Sequence, residues 1–208
     1  MELRPPSEEL KKARERFWEQ WRTRYPPGPA SSLDLSWTDL SGLSLDIDLE
    51  DCDLAYARCR GTTFGVLMLR CGAQHADFSE AFLKKAHITT STFDDAIFRG
   101  ARLIKLDAAD SSFRRVDFTG ADLTRCSFFR CDLRDARFTR TPLDGVGFER
   151  SLLAGANFTG CTGWIGPVRV NVGTPEDPHW IEGEDLRDWL RAAGATDVRV
   201  GYAARASE

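Results

Sequence analysis

From Phe78 to Phe158 an apolar side chain returns at every fifth position without a break: Phe78, Leu83, Ile88, Phe93, Phe98, Leu103, Ala108, Phe113, Phe118, Leu123, Phe128, Leu133, Phe138, Leu143, Phe148, Leu153, Phe158. Two residues before each of them the chain is small, as at Ala76, Ala81, Ala86, Ser91, Ala96 and Ala101, with one exception at Leu106. A period of five fits neither a helix of 3.6 nor a flat strand of two, so the unit is a short extended segment ending in a corner.

Read every twenty residues, the pattern sharpens into columns. Phe78, Phe98, Phe118, Phe138 and Phe158 form a core ladder, Leu83, Leu103, Leu123 and Leu143 form the next column, and four units therefore make one turn. The exception obeys the same logic. Leu106 is large where its column is small, Ala108 is small where its column is large, and the pair conserves interior volume. Upstream, Leu35, Leu40 and Leu45 and then Leu49, Leu54, Cys59, Phe64 and Leu69 keep the spacing in shifted frames. Register slips are predicted near Leu45–Leu49 and within Leu69–Asp77, and such breaks can carry binding function or simply move a corner.

The triplets Ala76-Asp77-Phe78, Ala121-Asp122-Leu123, Cys131-Asp132-Leu133 and Ala156-Asn157-Phe158 resemble the repeat of the pentapeptide-repeat family, Ala-Asp/Asn-Leu/Phe followed by two variable residues. The resemblance covers about 130 residues. It implies an all-β solenoid, a right-handed quadrilateral β-helix with the central Leu/Phe and the preceding small residue pointing inward. Roughly six coils at the inter-strand spacing would make a rod about 30 Å long.

Three segments are expected. Residues 1–30 read as an amphipathic helix and linker, with Pro6-Ser7-Glu8-Glu9 as a start signal, Leu10, Ala13, Phe17, Trp21 and Tyr25 on one face, and Pro26-Pro27 as a stop. Laid over an open solenoid end, this helix would act as a cap, the alternative being a partner-binding helix. Residues 31–163 are the β-helix. Residues 164–208 read as a small strand-helix-strand module, from Val168, Val170 and Val172, then Leu186, Trp189, Leu190 and Ala193 before Gly194, then Val198, Val200 and Tyr202. This module can cap the second end. Because some family members pair two rods end to end, it is equally a candidate homodimer interface through Trp180, Leu186, Trp189 and Leu190.

No catalytic, cofactor or metal site is expected, and the chain reads as a non-enzyme. His75, His87 and His179 have no ligand-spaced companion, and the acid-rich run from Asp46 to Asp53 lacks the central glycine and distal glutamate of a calcium loop. The six cysteines fall mostly on inward positions, at spacings that match no redox motif. With no long apolar run and a charged start, a cytoplasmic location without membrane contact is expected.

The net charge is −4. The family's best-characterised members protect bacterial type II topoisomerases, some by imitating the acidic outline of duplex DNA, so the resemblance implies DNA gyrase or topoisomerase IV as partner, with no direct DNA binding. The segment between Ala30 and Leu54 carries acids without a base, and Asp46, Asp48, Glu50, Asp51 and Asp53 are the candidate partner-binding residues. The face of the Leu83 column is basic instead, with Lys84, Lys85, Arg102, Lys105 and Arg125 against Asp122 and Asp144. Two functions are carried forward: protection of a topoisomerase from an inhibitor or toxin, as in self-resistance, and a scaffold or regulatory adaptor for another partner.

Overall fold

The computed structural model describes residues 30–45, 47–65 and 67–201. The first predicted helix, Asp46 and Tyr202 lie outside the described residues.

The described chain is a parallel β-solenoid. One face is a six-stranded sheet in the order β1 (Ala30–Ser31), β3 (Leu49–Glu50), β5 (Leu67–Leu69), β6 (His87–Thr89), β7 (Asp107–Ala109), β8 (Ser127–Phe129), every neighbour parallel. On another face β2 (Ser44–Leu45) pairs with β4 (Thr63–Phe64). The remaining contacts are single bridges that climb one coil at a time, such as Asp77 to Ile97 to Asp117 to Arg137 to Asn157. Four columns of inward residues define four faces: face one through Leu49, Met68, Ile88 and Phe128; face two through Leu54, Phe93 and Phe113; face three through Leu40, Cys59 and Phe78; face four through Leu45, Leu83 and Leu103.

The corners of the 20-residue coils turn on a residue in the left-handed region, for example Glu80 at φ 61°, Lys85 at 62° and Asp95 at 61°. In the 20-residue coils, after faces two, three and four, the inward residue's carbonyl accepts from the amide three residues on, as from Ala81 to Phe78 (3.0 Å) and from Ala86 to Leu83 (3.1 Å). After face one a side chain takes this part in three coils. The amides of Cys71, Ser91 and Cys131 donate to the hydroxyls of Ser91, Ser111 and Ser151 in the coil above, at 3.0–3.1 Å. The inward small site is thus a hydrogen-bonding position as well as a space-saving one. Thr62, Thr141 and Ser151 hydroxyls donate to carbonyls of the coil below, and the Cys126 and Cys161 thiols do the same. Donors buried this way would each cost about 1–3 kcal/mol if left unpaired.

The five phenylalanines of face three are buried and stacked, with successive centroids 4.8, 5.4, 5.2 and 4.8 Å apart. Leu106 and Ala108 are both buried, the large side chain occupying the small site.

Coils in the middle advance 20 residues, as from Leu67 to His87 to Asp107 to Ser127, whereas the first coils advance 19, as from Leu49 to Met68 and from Asp34 to Asp53. Both short steps fall on the same side: Leu45 to Leu49, then Phe64 to Met68. The second slip therefore lies one face earlier than the sequence predicts. Met68 is buried and Leu69 faces outward, because two neighbouring apolar residues compete for one inward slot and the phase of Ala73 and Phe78 decides it. The shortened sides stack closely, and a Cβ on Gly65 would run into the Ile47 backbone carbonyl.

At the far end, β9 (Thr162–Ile165) is the last rung of face four, and β12 (Asp197–Val200) pairs with it in parallel. The antiparallel pair β10 (Val170–Asn171) and β11 (Trp180–Ile181) leads into α1 (Gly183–Ala192). Leu186 and Leu190 of α1 are buried, and Trp189 sets its edge against Phe158, 6.0 Å between centroids. The edge amides find acceptors in this segment: Leu153 donates to the Asn171 carbonyl (2.8 Å) and Phe158 to that of Ala193 (2.9 Å). Unpaired edge groups are thereby covered. Gly194, at φ +94°, passes so close to Thr159 that a Cβ would lie 3.0 Å from its Cα.

Candidate functional site: the charged outer faces

The outward positions decide what the rod can bind. Every inward residue is flanked by two outward ones and followed by a corner residue, so side chains stack in vertical columns at about 4.8 Å.

The acidic candidates sit round the corner between faces one and two, in the second coil. Asp48 precedes Leu49 on face one and accepts from the Leu67 amide (3.0 Å), so it caps the next coil's shortened side. Glu50 and Asp51 follow, and Arg70 reaches down from the coil above to both, at 2.6 Å to each. The Arg70 hydrogen bonds hold the Asp51 carboxyl below the usual carboxylate range. Asp53 begins face two and accepts from the Ala55 amide (2.8 Å), with Asp34 in register beneath it. The structure thus gathers Asp48, Glu50, Asp51 and Asp53 into one arc, but the arc is a single coil tall and Arg70 closes it from above. That clamp joins residues 19 and 20 positions apart, and the shortened coil hides it from a count by twenties.

Ion pairs continue up two of the corners. Arg130 meets Asp110 at 2.6 Å above Arg70, and Arg115 grips Asp95 through two bonds of 2.7 Å on the corner after face two. Below Asp95 that corner is aromatic. Trp37, Tyr56 and His75 stack with centroids 4.4 and 4.7 Å apart, and His75 lies 3.9 Å from Asp95. Sequence reading leaves this column unnoticed, although its 19-residue spacing is visible. After face three the corner is mostly glycine, and Glu80 takes an ion pair from Arg60 (2.6 Å). Asp117 is pushed up by burial, but hydrogen bonds from Thr119 and Arg99 outweigh this and its carboxyl titrates below the normal value.

The fourth corner differs. It stacks Lys85, Lys105 and Arg125, with Lys84 and Arg102 beside them on face four, and Arg102 lies over the exposed ring of Phe82 (5.4 Å).

The candidate dimer residues divide. Leu186 and Leu190 are buried within the chain, Trp189 is half-buried on Phe158, and Trp180 remains exposed with Arg169 over its ring (5.6 Å). Most of the apolar helix face is therefore spent on the last coil.

Among the described residues no group of histidine, cysteine or acidic side chains is placed to hold a metal ion, and no helix is long and apolar enough to cross a membrane. All six cysteines are buried and none is joined in a disulfide.

A parallel solenoid with four-residue corners and one small and one large inward residue per side belongs to the class of solenoid repeat proteins with ordered outer columns. Within that class, residues 74–105, 93–129, 111–150 and 131–162 match the family described as pentapeptide repeats, in eight copies. Residues 74–162 are thus an array of pentapeptide repeats. No curated protein matches the chain. Among solved structures it is similar to HetL, a pentapeptide repeat protein involved in heterocyst differentiation regulation from the cyanobacterium Nostoc sp. strain PCC 7120, at 20% identity over 73% of this chain and 72% of that one, TM-score 0.41. It is also similar to full-length QnrB1, a plasmid-mediated fluoroquinolone resistance protein, at 18% identity over 66% and 84%, TM-score 0.31. A third likeness is to Rfr23 from the cyanobacterium Cyanothece 51142, at 16% identity over 62% and 89%, TM-score 0.22.

Proposed function

We propose that this protein is a non-enzymatic binding rod that engages a type II topoisomerase, DNA gyrase or topoisomerase IV, and shields it from an inhibitor or toxin. The observation that carries the reading is the acidic arc of the second coil: Asp48, Glu50, Asp51 and Asp53 on successive outward positions, with Asp34 in register below. The DNA-binding groove of such an enzyme is basic, and a rigid arc of carboxylates is complementary to it. The mimicry is partial, since Arg70 ends the arc after one coil. Self-resistance in a cell that makes a topoisomerase poison is a setting that suits this role.

The test is a gyrase supercoiling assay with and without a fluoroquinolone, titrating the purified protein. Restored supercoiling in the presence of drug is expected. The variant Asp34→Asn/Asp51→Asn/Asp53→Asn should lose it while remaining folded, because a carboxamide at Asp53 can still accept the Ala55 amide bond. Protection that survives the triple change removes the arc from the mechanism, and plain inhibition leaves a mimic without protective action. No effect on gyrase or topoisomerase IV favours the second reading, an adaptor for another protein, which the cationic fourth corner supports.

A further inference from the structure

We propose that the corner formed by Lys85, Lys105 and Arg125, flanked by Lys84, Arg102 and Phe82, is a separate docking surface that receives an extended acidic segment of a protein partner.

The contrast with the rest of the rod carries the inference. On each of the other corners a corner acid is paired with a base one coil away, on the corner itself for Asp51 with Arg70, Asp110 with Arg130 and Asp95 with Arg115, and beside it for Glu80 with Arg60. Here three cations stack on successive coils in one backbone conformation, φ 62°, 60° and 59°, so their stems leave the rod in the same direction. Among the described residues no carboxylate forms an ion pair with Lys84, Lys85, Lys105 or Arg125, whereas the other corners are paired at 2.6–2.7 Å. Like charges directly opposite on neighbouring strands destabilise a sheet. One acid at position 105 would turn this corner into a ladder like its neighbours. Stability forgone at one place in an otherwise charge-matched repeat is the mark of a surface that takes its counter-charge from outside.

The shape of the surface selects the partner. Three coils span about 10 Å. Above them Gly145 has no side chain and the Trp164 indole packs over it, while Asp122 and Asp144 stand on face four beside the upper end. Below, the chain takes its shortened step from Phe64 to Met68. A nucleic-acid backbone held by about 6–10 phosphate contacts would outrun so short a ridge, and the chain's net charge of −4 opposes a long polyanion. A stretch of extended acidic peptide fits better. Its alternate carboxylates lie roughly 6.8 Å apart on one side, within reach of long lysine and arginine stems. Phe82, 39% exposed, offers an apolar shoulder for a flanking side chain.

The experiment is fluorescence anisotropy with a labelled hexaglutamate peptide and the full chain. Saturable binding that weakens with added salt is expected. The variant Lys85→Gln/Lys105→Gln/Arg125→Gln should weaken it about tenfold, three exposed charge pairs at a few tenths of a kcal/mol or more each. The control Arg115→Gln/Arg130→Gln/Arg140→Gln removes the same charge from elsewhere and should change binding less than about twofold. Absence of saturable binding, or equal loss in the control, overturns the proposal. Tighter, ridge-dependent binding of an oligothymidylate overturns the choice of partner. A second readout needs no ligand: Lys105→Glu should raise the melting temperature at low salt while abolishing peptide binding. A lowered or unchanged melting temperature overturns the argument from unrelieved repulsion.

Discussion

The first coils and the middle coils obey one five-residue rule yet enclose different interiors. In the middle, sides of five residues on all four faces make a 20-residue perimeter, and the columns of faces two and three are filled by Phe93 and Phe113 and by Phe78 through Phe158, each stacked on the next. In the first coils one side is a residue short, and the same columns hold Leu35 and Leu54, then Leu40 and Cys59. A shorter perimeter encloses less volume, and a close-packed interior has to shrink with it. Perimeter and core residues are thus one choice: the sequence switches to phenylalanine in face three at Phe78, once Phe64 to Met68 has made the last short step.

The strongest test of this difference is a pair of truncations. Phe118→Ala should cost about 3–5 kcal/mol, because the ring is buried between Phe98 and Phe138. Cys59→Ala in the equivalent column of a short coil should cost about 1 kcal/mol. Denaturant unfolding measures both, and equal losses would mean that the two interiors are not packed differently. Next in size is the end of the long coils. Trp189→Glu sets a charge against Phe158 and should cost about 2–3 kcal/mol. Light scattering on the same sample reports whether the remaining Trp180 surface joins two copies, and a monomer before and after the change would assign the helix to capping alone.

Glycines sharpen the comparison further. Gly65→Ala pushes into the Ile47 backbone and should cost about 1–3 kcal/mol. Gly120→Ala, at a long-coil corner with φ +65° and nothing within 4 Å, should cost only the left-handed penalty of about 1 kcal/mol. Melting temperatures in that order support a tight short side, and the reverse order breaks it. The smallest effect is electrostatic. Asp95, hydrogen-bonded by Arg115, titrates below its ordinary 3.8, so its contribution is complete above that pH and is lost as pH falls through the lower folded value. For so exposed a pair the loss is about 0.5 kcal/mol. It should appear as a step in melting temperature on the acid side that Asp95→Asn abolishes.

The middle of the fold is legible because its period is strict and each column holds one kind of residue. Even Leu106 and Ala108 can be read, as compensating volumes. The slip at Phe64–Met68 is not, because Met68 and Leu69 are both apolar and only the position of the next coil chooses between them. The serines at 91, 111 and 151 look like mere small residues in sequence, since their hydrogen-bond partners lie about twenty residues away. The charged arc is legible as composition, but its closure by Arg70 is a property of stacking. Likewise the apolar face of α1 is plain from spacing, while what it covers becomes known only when Leu186 and Leu190 are seen inside the chain.

The backbone bonds between coils, such as Phe98 to Asp117 at 2.8 Å and Phe118 to Arg137 at 2.7 Å, run lengthwise rather than across the molecule. Pulling on the two ends loads many of them in parallel, so the chain resists extension in the way a short stiff gauge does. Side chains on different coils are held at a set separation, and inserting or deleting one whole turn changes that separation by about 4.8 Å while returning every side to its former bearing. Such a molecule can evolve its reach in fixed quanta without redesigning the surfaces at either end.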